Sequence, residues 1–211
     1  MPFPIKKFFS LIKKAKQFDS KDIKITKIGL KFTQNSLDPV HDLGHLYRMM
    51  GSYFQFKKSN ENPKLNISDR VMVHSIVWHD VWKTLRRQSF KGVKLISDEI
   101  YEGIGSMRIF ARYAKKLHLD APLIKKVKYA IRKHATISIL PRSTRESRLL
   151  NDLDELDFWN VKRLKLGIQN YRYRYLAAQK YFKYRLKKAF YYPWTQTKFE
   201  RKIRELEKYL G

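Results

Sequence analysis

The chain has no cysteine. A disulfide scaffold, a cysteine-ligated zinc finger, an iron–sulfur centre and a thiol nucleophile are therefore excluded, and any metal has to sit on histidine and carboxylate. There is no run of about 18 apolar residues that could cross a bilayer, and no secretory apolar segment behind the start. The expectation is an intracellular protein, cytoplasmic by default, with organellar targeting left open. Acids are scarce as well: 19 Asp and Glu stand against 46 Lys and Arg, a formal charge of +27 that calls for an anionic partner. Period-two alternation is weak and confined to Ile23 through Phe32. What is present is apolar substance. Of 211 residues 43% are hydrophobic, with 13 Phe, 13 Tyr and 4 Trp, enough for one domain with a real core and too much for wholesale disorder.

Outside that weak stretch the pattern is helical, and the expected fold class is an all-α bundle of seven or eight helices. Helix starts are marked at Ser68-Asp69, at Ser97-Asp98-Glu99 and at Pro122. Ser143 with Glu146, and Thr197 with Glu200, have the spacing of a capping box, in which each side chain satisfies an orphan amide. Breaks fall at 58–66, 88–97, 120–122, 139–143 and 192–194. This divides the chain into a basic arm (1–36), a helical core (37–160) and basic C-terminal helices packed on it (161–211). The first 18 residues carry five Lys and no acid, with Phe8, Phe9, Leu11 and Ile12 as an apolar side, and read as a basic helix packed on the domain. Residues 161–192 form one long helix or two with a kink near Gly167. A last helix follows with the stripe Phe199, Ile203, Leu206 and Leu210.

Histidines occur at 41, 45, 74, 79, 118 and 134. His41 and His45 are spaced to share one helix face, with Arg48 close to it. His79 and Asp80 are adjacent at the end of an apolar helix, where side chains about 100° apart can meet one ion only near the helix end. Asp152, Asp154 and Asp157 lie in a frame of Leu149, Leu150, Leu153, Leu156, Phe158 and Trp159. A carboxylate among so many apolar groups is costly unless a cation or a hydrogen-bond network meets it. A mixed imidazole and carboxylate set suits Mn, Fe, Co, Ni or Zn rather than calcium. Taken singly, each string also fits a core histidine or a solvated acidic face; His74 reads as core and His118 as a loop residue.

In order and spacing the three strings, from about Leu37 to Trp159, resemble the HD-domain metal-dependent phosphohydrolase superfamily, as small stand-alone members of it. His41-Asp42-Leu43-Gly44-His45-Leu46-Tyr47-Arg48 is similar to the first motif, His79-Asp80 to the second and Asp152-Leu153-Asp154-Glu155-Leu156 to the third. The resemblance implies an HD-type helical bundle. It also implies a divalent ion (Mn, Fe, Co, Ni, Mg or Zn; one rather than two) on His45, His79, Asp80 and Asp154, with Asp152 in reserve, and cleavage of a phosphoester, most simply of a nucleotide. Asp80 is then a proton acceptor beside the ion. Lys83 completes a His-Asp-x-x-Lys string similar to that of CRISPR-associated and cyclic-nucleotide HD enzymes, where the lysine faces phosphate; a surface lysine is the other reading. His41, Arg48, Arg86, Arg87 and His134 are further candidates for holding phosphate.

The charge is uneven. From Phe158 to Phe199 there is no acid, against 11 Lys and Arg and seven Tyr. Arg172, Arg174, Lys183, Arg185, Lys187 and Lys188 fit an RNA or single-stranded DNA surface, in which cations neutralise phosphates and rings stack on bases. A nuclease or a structural ribonucleoprotein subunit is accordingly the alternative function.

Overall fold

The computed structural model describes residues 5–13, 15, 18–61, 64–86, 92–134, 141–171 and 190–210. The fold is an all-α bundle, with no strand among the described residues. Its helices are α1 (Ile5–Ile12), α2 (Ser20–Gln34), α3 (Leu43–Phe56), α4 (Asp69–Trp78), α5 (Val81–Thr84), α6 (Gly92–Lys116), α7 (Ala121–Lys133), α8 (Arg145–Phe158), α9 (Val161–Tyr171) and α10 (Pro193–Leu210). This is more pieces than expected, partly because the chain breaks after Trp78 and resumes as the single turn α5. His79 and Asp80 occupy the break.

The hub is α4. Every residue from Asp69 to Trp78 except Arg70 is buried, as befits a helix with no polar face. Around it pack α2, α3, α6, α7 and α8. Its start is capped by Ser68, as expected, and its Asp69 binds Tyr53 of α3 and Lys57 just past the end of α3. Phe8 and Ile12 seat α1 in the same core. A smaller apolar cluster of Val40, Leu156, Trp159, Leu164, Phe199 and Leu206 joins α8, α9 and α10. Ile203 packs against it, while the side chain of Leu210 lies outside the described residues.

Several local expectations give way to better partners. Ile23–Phe32, the weak alternating stretch, is helical. Its start is fixed by a capping box in which Asp19 accepts from the Asp22 amide at 2.8 Å and Asp22 from the Asp19 amide at 3.0 Å. The cap of α8 is Thr144, because the Ser143 hydroxyl is bonded to Tyr129 and Glu146 accepts from the Ser68 amide. Thr197 lies inside α10, which begins at Pro193, whose fixed φ suits a first turn. Ser97–Glu99 fall within α6, so the break around them is shorter than expected. Arg87 and residues 172–189 lie outside the described residues, and with them the expected long helix.

One glycine decides how the site is built. A Cβ on Gly103 would stand 2.8 Å from the backbone oxygen of Arg132, so glycine lets α6 lie directly on the end of α7. The neighbouring Glu102 is thereby brought to His134.

Candidate metal centre

Three segments deliver the four central side chains. His45 stands in the first turn of α3, whose N-cap Asp42 accepts the His45 amide at 2.8 Å. His79 and Asp80 come from the break between α4 and α5, and Asp154 from α8. Their ligand atoms lie within 4.8 Å of one another. His45 Nε2 is 3.2 Å from His79 Nε2, 3.3 Å from Asp80 Oδ2 and 3.5 Å from Asp154 Oδ1. His79 Nε2 is 3.0 Å from Asp80 Oδ2 and 3.8 Å from Asp154 Oδ1. A tetrahedron with metal–ligand arms of ~2.1 Å has edges of ~3.4 Å, so these spacings match donors arranged around one ion.

The tautomers are set from behind. His79 Nδ1 donates to the Ile76 carbonyl at 2.8 Å, and His45 Nδ1 donates to Asp157 Oδ2 at 2.8 Å. Both Nε2 atoms therefore point inward, the arrangement that metal-binding histidines adopt. Asp157 is in turn gripped by Arg48, Nε to Oδ1 at 2.8 Å and Nη2 to Oδ2 at 3.0 Å. Meanwhile neither oxygen of the buried Asp80 makes a hydrogen bond of acceptable geometry, although four imidazoles stand within 3.6 Å of it. An orphaned buried carboxylate of this kind is what a cation resolves, so the residues present fit a divalent metal.

The electrostatics agree. Burial opposes charge on His79 and on Asp80, yet Asp80 and Asp154 lift His79 to about 9, and His79 and His41 hold Asp80 well below the usual carboxylate range. Asp154 is lowered against burial by His79 and Arg163, and Asp157 by Arg48 and His45. The carboxylates demand more positive charge than the fixed cations around them supply.

A second group shares Asp80. His134, at the end of α7, is 3.6 Å from Asp80 Oδ1 and 3.0 Å from Glu102 Oε1, and Lys83 sits 2.7 Å from Glu102 Oε2. These three acidic and imidazole groups also fit a cation, but Lys83 already supplies one to Glu102. His134 Nδ1 donates to the Ile131 carbonyl at 2.6 Å; burial depresses the ring, and Asp80 and Glu102 more than reverse that, holding it well above its ordinary value.

The remaining candidates fall as follows. His41 precedes α3 rather than lying on it, so helical spacing is not what brings it near His45. It is placed by Asp38, 3.0 Å from its Nδ1, and lies 3.6 Å from Asp80. Arg48 is engaged behind the site with Asp157, and Arg86 stacks on Trp82 at 3.9 Å. Arg87 lies outside the described residues, as do Arg172, Arg174, Lys183, Arg185, Lys187 and Lys188. Asp152 faces away from the group. It accepts from the amides of Tyr191 and Tyr192 and from Thr195, pinning the start of α10, and burial pushes it up to about 7 against those bonds.

Sequence reasoning gave no role to Arg163, Glu102 or Asp38, and marked Asp157 only as one of three acids in an apolar frame that need a cation or a hydrogen-bond network. Arg163 comes from α9 and is buried, with Nη1 3.3 Å from Asp154 and Nη2 3.1 Å from His41 Nε2. One signal for it existed: it is a single arginine at the start of the acid-free segment, beside the apolar Trp159 and Leu164. No protein-family model, no curated protein and no solved structure matches the chain.

Proposed function

We propose that the protein is a metal-dependent hydrolase of phosphoesters, with a nucleotide as the substrate class and one divalent ion on His45, His79, Asp80 and Asp154. The observation that carries this reading is the convergence of two backside-locked imidazoles and two carboxylates on one point, with Asp80 short of donors. Histidine and carboxylate together suit Mn, Fe, Co, Ni or Zn. When bound, such an ion supplies Lewis acidity toward a phosphoryl oxygen and toward water.

The chain's own residues supply the rest. His45 and His79 orient their Nε2 atoms through Asp157 and the Ile76 carbonyl. Asp80, buried and deprotonated, accepts a proton from water at its carboxylate. Arg163, buried with Nη1 3.3 Å from Asp154 and Nη2 3.1 Å from His41, brings a fixed positive charge to the edge of the group, where it favours an anionic substrate. His134, protonated between Asp80 and Glu102, is placed to return a proton to a leaving oxygen. Lys83, 2.7 Å from Glu102 Oε2, pairs with the carboxylate that holds His134. The test is hydrolysis of a panel of nucleotides with added divalent metal by wild type and Asp80→Ala. Loss of turnover in the variant supports the assignment, and unchanged turnover refutes it.

The second reading is attachment to RNA or single-stranded DNA through the acid-free segment 158–199 with its 11 basic residues. Binding at low salt that falls steeply with added salt supports it, and a flat dependence excludes it.

A further inference from the structure

Behind the candidate metal centre, on the far side of Asp157, lies a separate cavity of about 270 Å³ between α3, α8 and α10. Its cations are Arg48 from α3 and Lys198, Arg201 and Lys202 from α10. The three on α10 stand at i, i+3 and i+4, so one helix face gathers like charges that disfavour the helix on their own. That face is opposed by the apolar one of Phe199 and Leu206, which holds α10 in place. The single carboxylate in the lining is Asp157, and it is already filled by two N–H groups of Arg48 and by His45. Among the described residues Arg201 pairs with the exposed Glu205 at 3.5 Å, outside the cavity lining. Lys198 lies over the Trp194 ring at 5.3 Å. Lys202 is half-buried and makes no hydrogen bond or ion pair among the described residues. Burial presses its ammonium toward losing its proton, and Asp157 and Glu205 offset this only in part.

We infer that this cavity is an anion site that takes the phosphate group of a small molecule, held by Lys198, Arg201 and Lys202. Phosphate is favoured because several cations converge from one side and share a compact, multiply charged acceptor better than a single carboxylate. The size limits the ligand: about 270 Å³ is at the small end for small-molecule pockets, room for a phosphate with a short carbon skeleton against Tyr47 and Trp194. The site uses none of the metal-binding group and stands or falls independently of the hydrolase assignment. Arg48 serves both places, so the test avoids it.

The experiment titrates inorganic phosphate and ribose 5-phosphate into full-length protein kept in EDTA, by calorimetry. The variants are Lys202→Glu, the gentler Lys202→Gln, and Lys198→Ala/Lys202→Gln, each checked for unchanged helicity. His79→Ala is the control. Wild type and His79→Ala should bind one phosphate per chain equally well. Lys202→Gln should bind about tenfold more weakly, and Lys202→Glu more weakly still. Tighter binding of ribose 5-phosphate than of phosphate marks a phosphorylated metabolite as the occupant; equal binding marks the free anion. No binding to wild type at millimolar phosphate, equal binding by all the lysine variants, or loss of binding in His79→Ala overturns the inference.

Discussion

Two buried histidine–carboxylate groups leave the same helix in different directions, and they are built to opposite ends. His74 and His79 are five residues apart, about 140° around α4. At His74 the carboxylate of Asp22 is completely supplied. It receives His74 Nε2 at 2.7 Å, Arg70 Nε at 2.9 Å and Nη2 at 3.2 Å, and the Asp19 amide at 3.0 Å. At His79 the proportions are reversed: imidazoles crowd Asp80 and yet leave it without a well-formed hydrogen bond. The same residue types thus make a clamp where donors match acceptors, and a group that could hold a metal ion where a carboxylate is left without matched donors. Counting histidines and acids does not separate the two. Asking what each lone pair faces does.

The sharpest way to break that distinction is to remove one histidine. His79→Ala is expected to lower affinity for Mn²⁺ by at least about 100-fold, read by calorimetry and by elemental analysis of the purified protein, since a ligand itself is lost. Asp22→Asn should leave metal content unchanged; equal losses in both would erase the difference between the groups. Stability should respond in the opposite pattern. Asp22→Ala takes from His74 its acceptor and from Arg70 the nearest of its carboxylates, leaving Arg70 only the exposed Asp120 and Asp19, and is expected to cost about 3–5 kcal/mol in urea unfolding. Asp80→Ala, measured in EDTA, should cost clearly less, because it removes a carboxylate whose acceptors were never satisfied.

Acid gives a third test. The Asp22 carboxyl, although burial opposes its charge, is lowered from 3.8 to about 2 by His74, the Asp19 amide and Arg70. Its folded value lies below its unfolded one, so its contribution is complete above pH 4 and disappears as pH falls toward 2. A shift of this size corresponds to about 2.5 kcal/mol. Denaturant midpoints followed from pH 5 to 2 should drop more steeply for wild type than for Asp22→Asn. Parallel curves would show that Asp22 is not the clamp's charged member.

Legibility in the sequence followed the range of the forces involved. The all-α class and several helix starts were readable because Ser68, Pro122 and the unbroken apolar run of α4 act locally. The strings holding His45, His79, Asp80 and Asp154 stood out because each packs chemistry into a few residues, and the fold does bring those four together. What was not legible depends on partners far along the chain. Glu102 reaches His134 because Gly103 allows two helices to touch. Arg163 looked like one cation among many until α9 turned it inward. Asp152 and Asp154 were separable only by asking which face of α8 meets α10, and Asp152 proves to anchor that helix. His41 sat at helical spacing from His45, but Asp42 caps the helix between them.

The smallest expected effect tests the boundary between clamp and ligand set at Asp157, which has features of both. Like Asp22 it is gripped by an arginine and bonded to a histidine; unlike Asp22 it stands directly behind an inward-facing imidazole. Asp157→Asn keeps one carbonyl oxygen that can accept from His45 Nδ1, so the ring stays oriented, but the negative charge that makes its Nε2 a stronger donor is lost. The expected result is metal affinity lower by about 10- to 100-fold, less than for loss of His79, with little change in fold. A loss as large as that of His79→Ala would make Asp157 a ligand in its own right. No change in metal affinity, together with a drop in stability, would move it to the side of Asp22, as a clamp that happens to lie beside the centre.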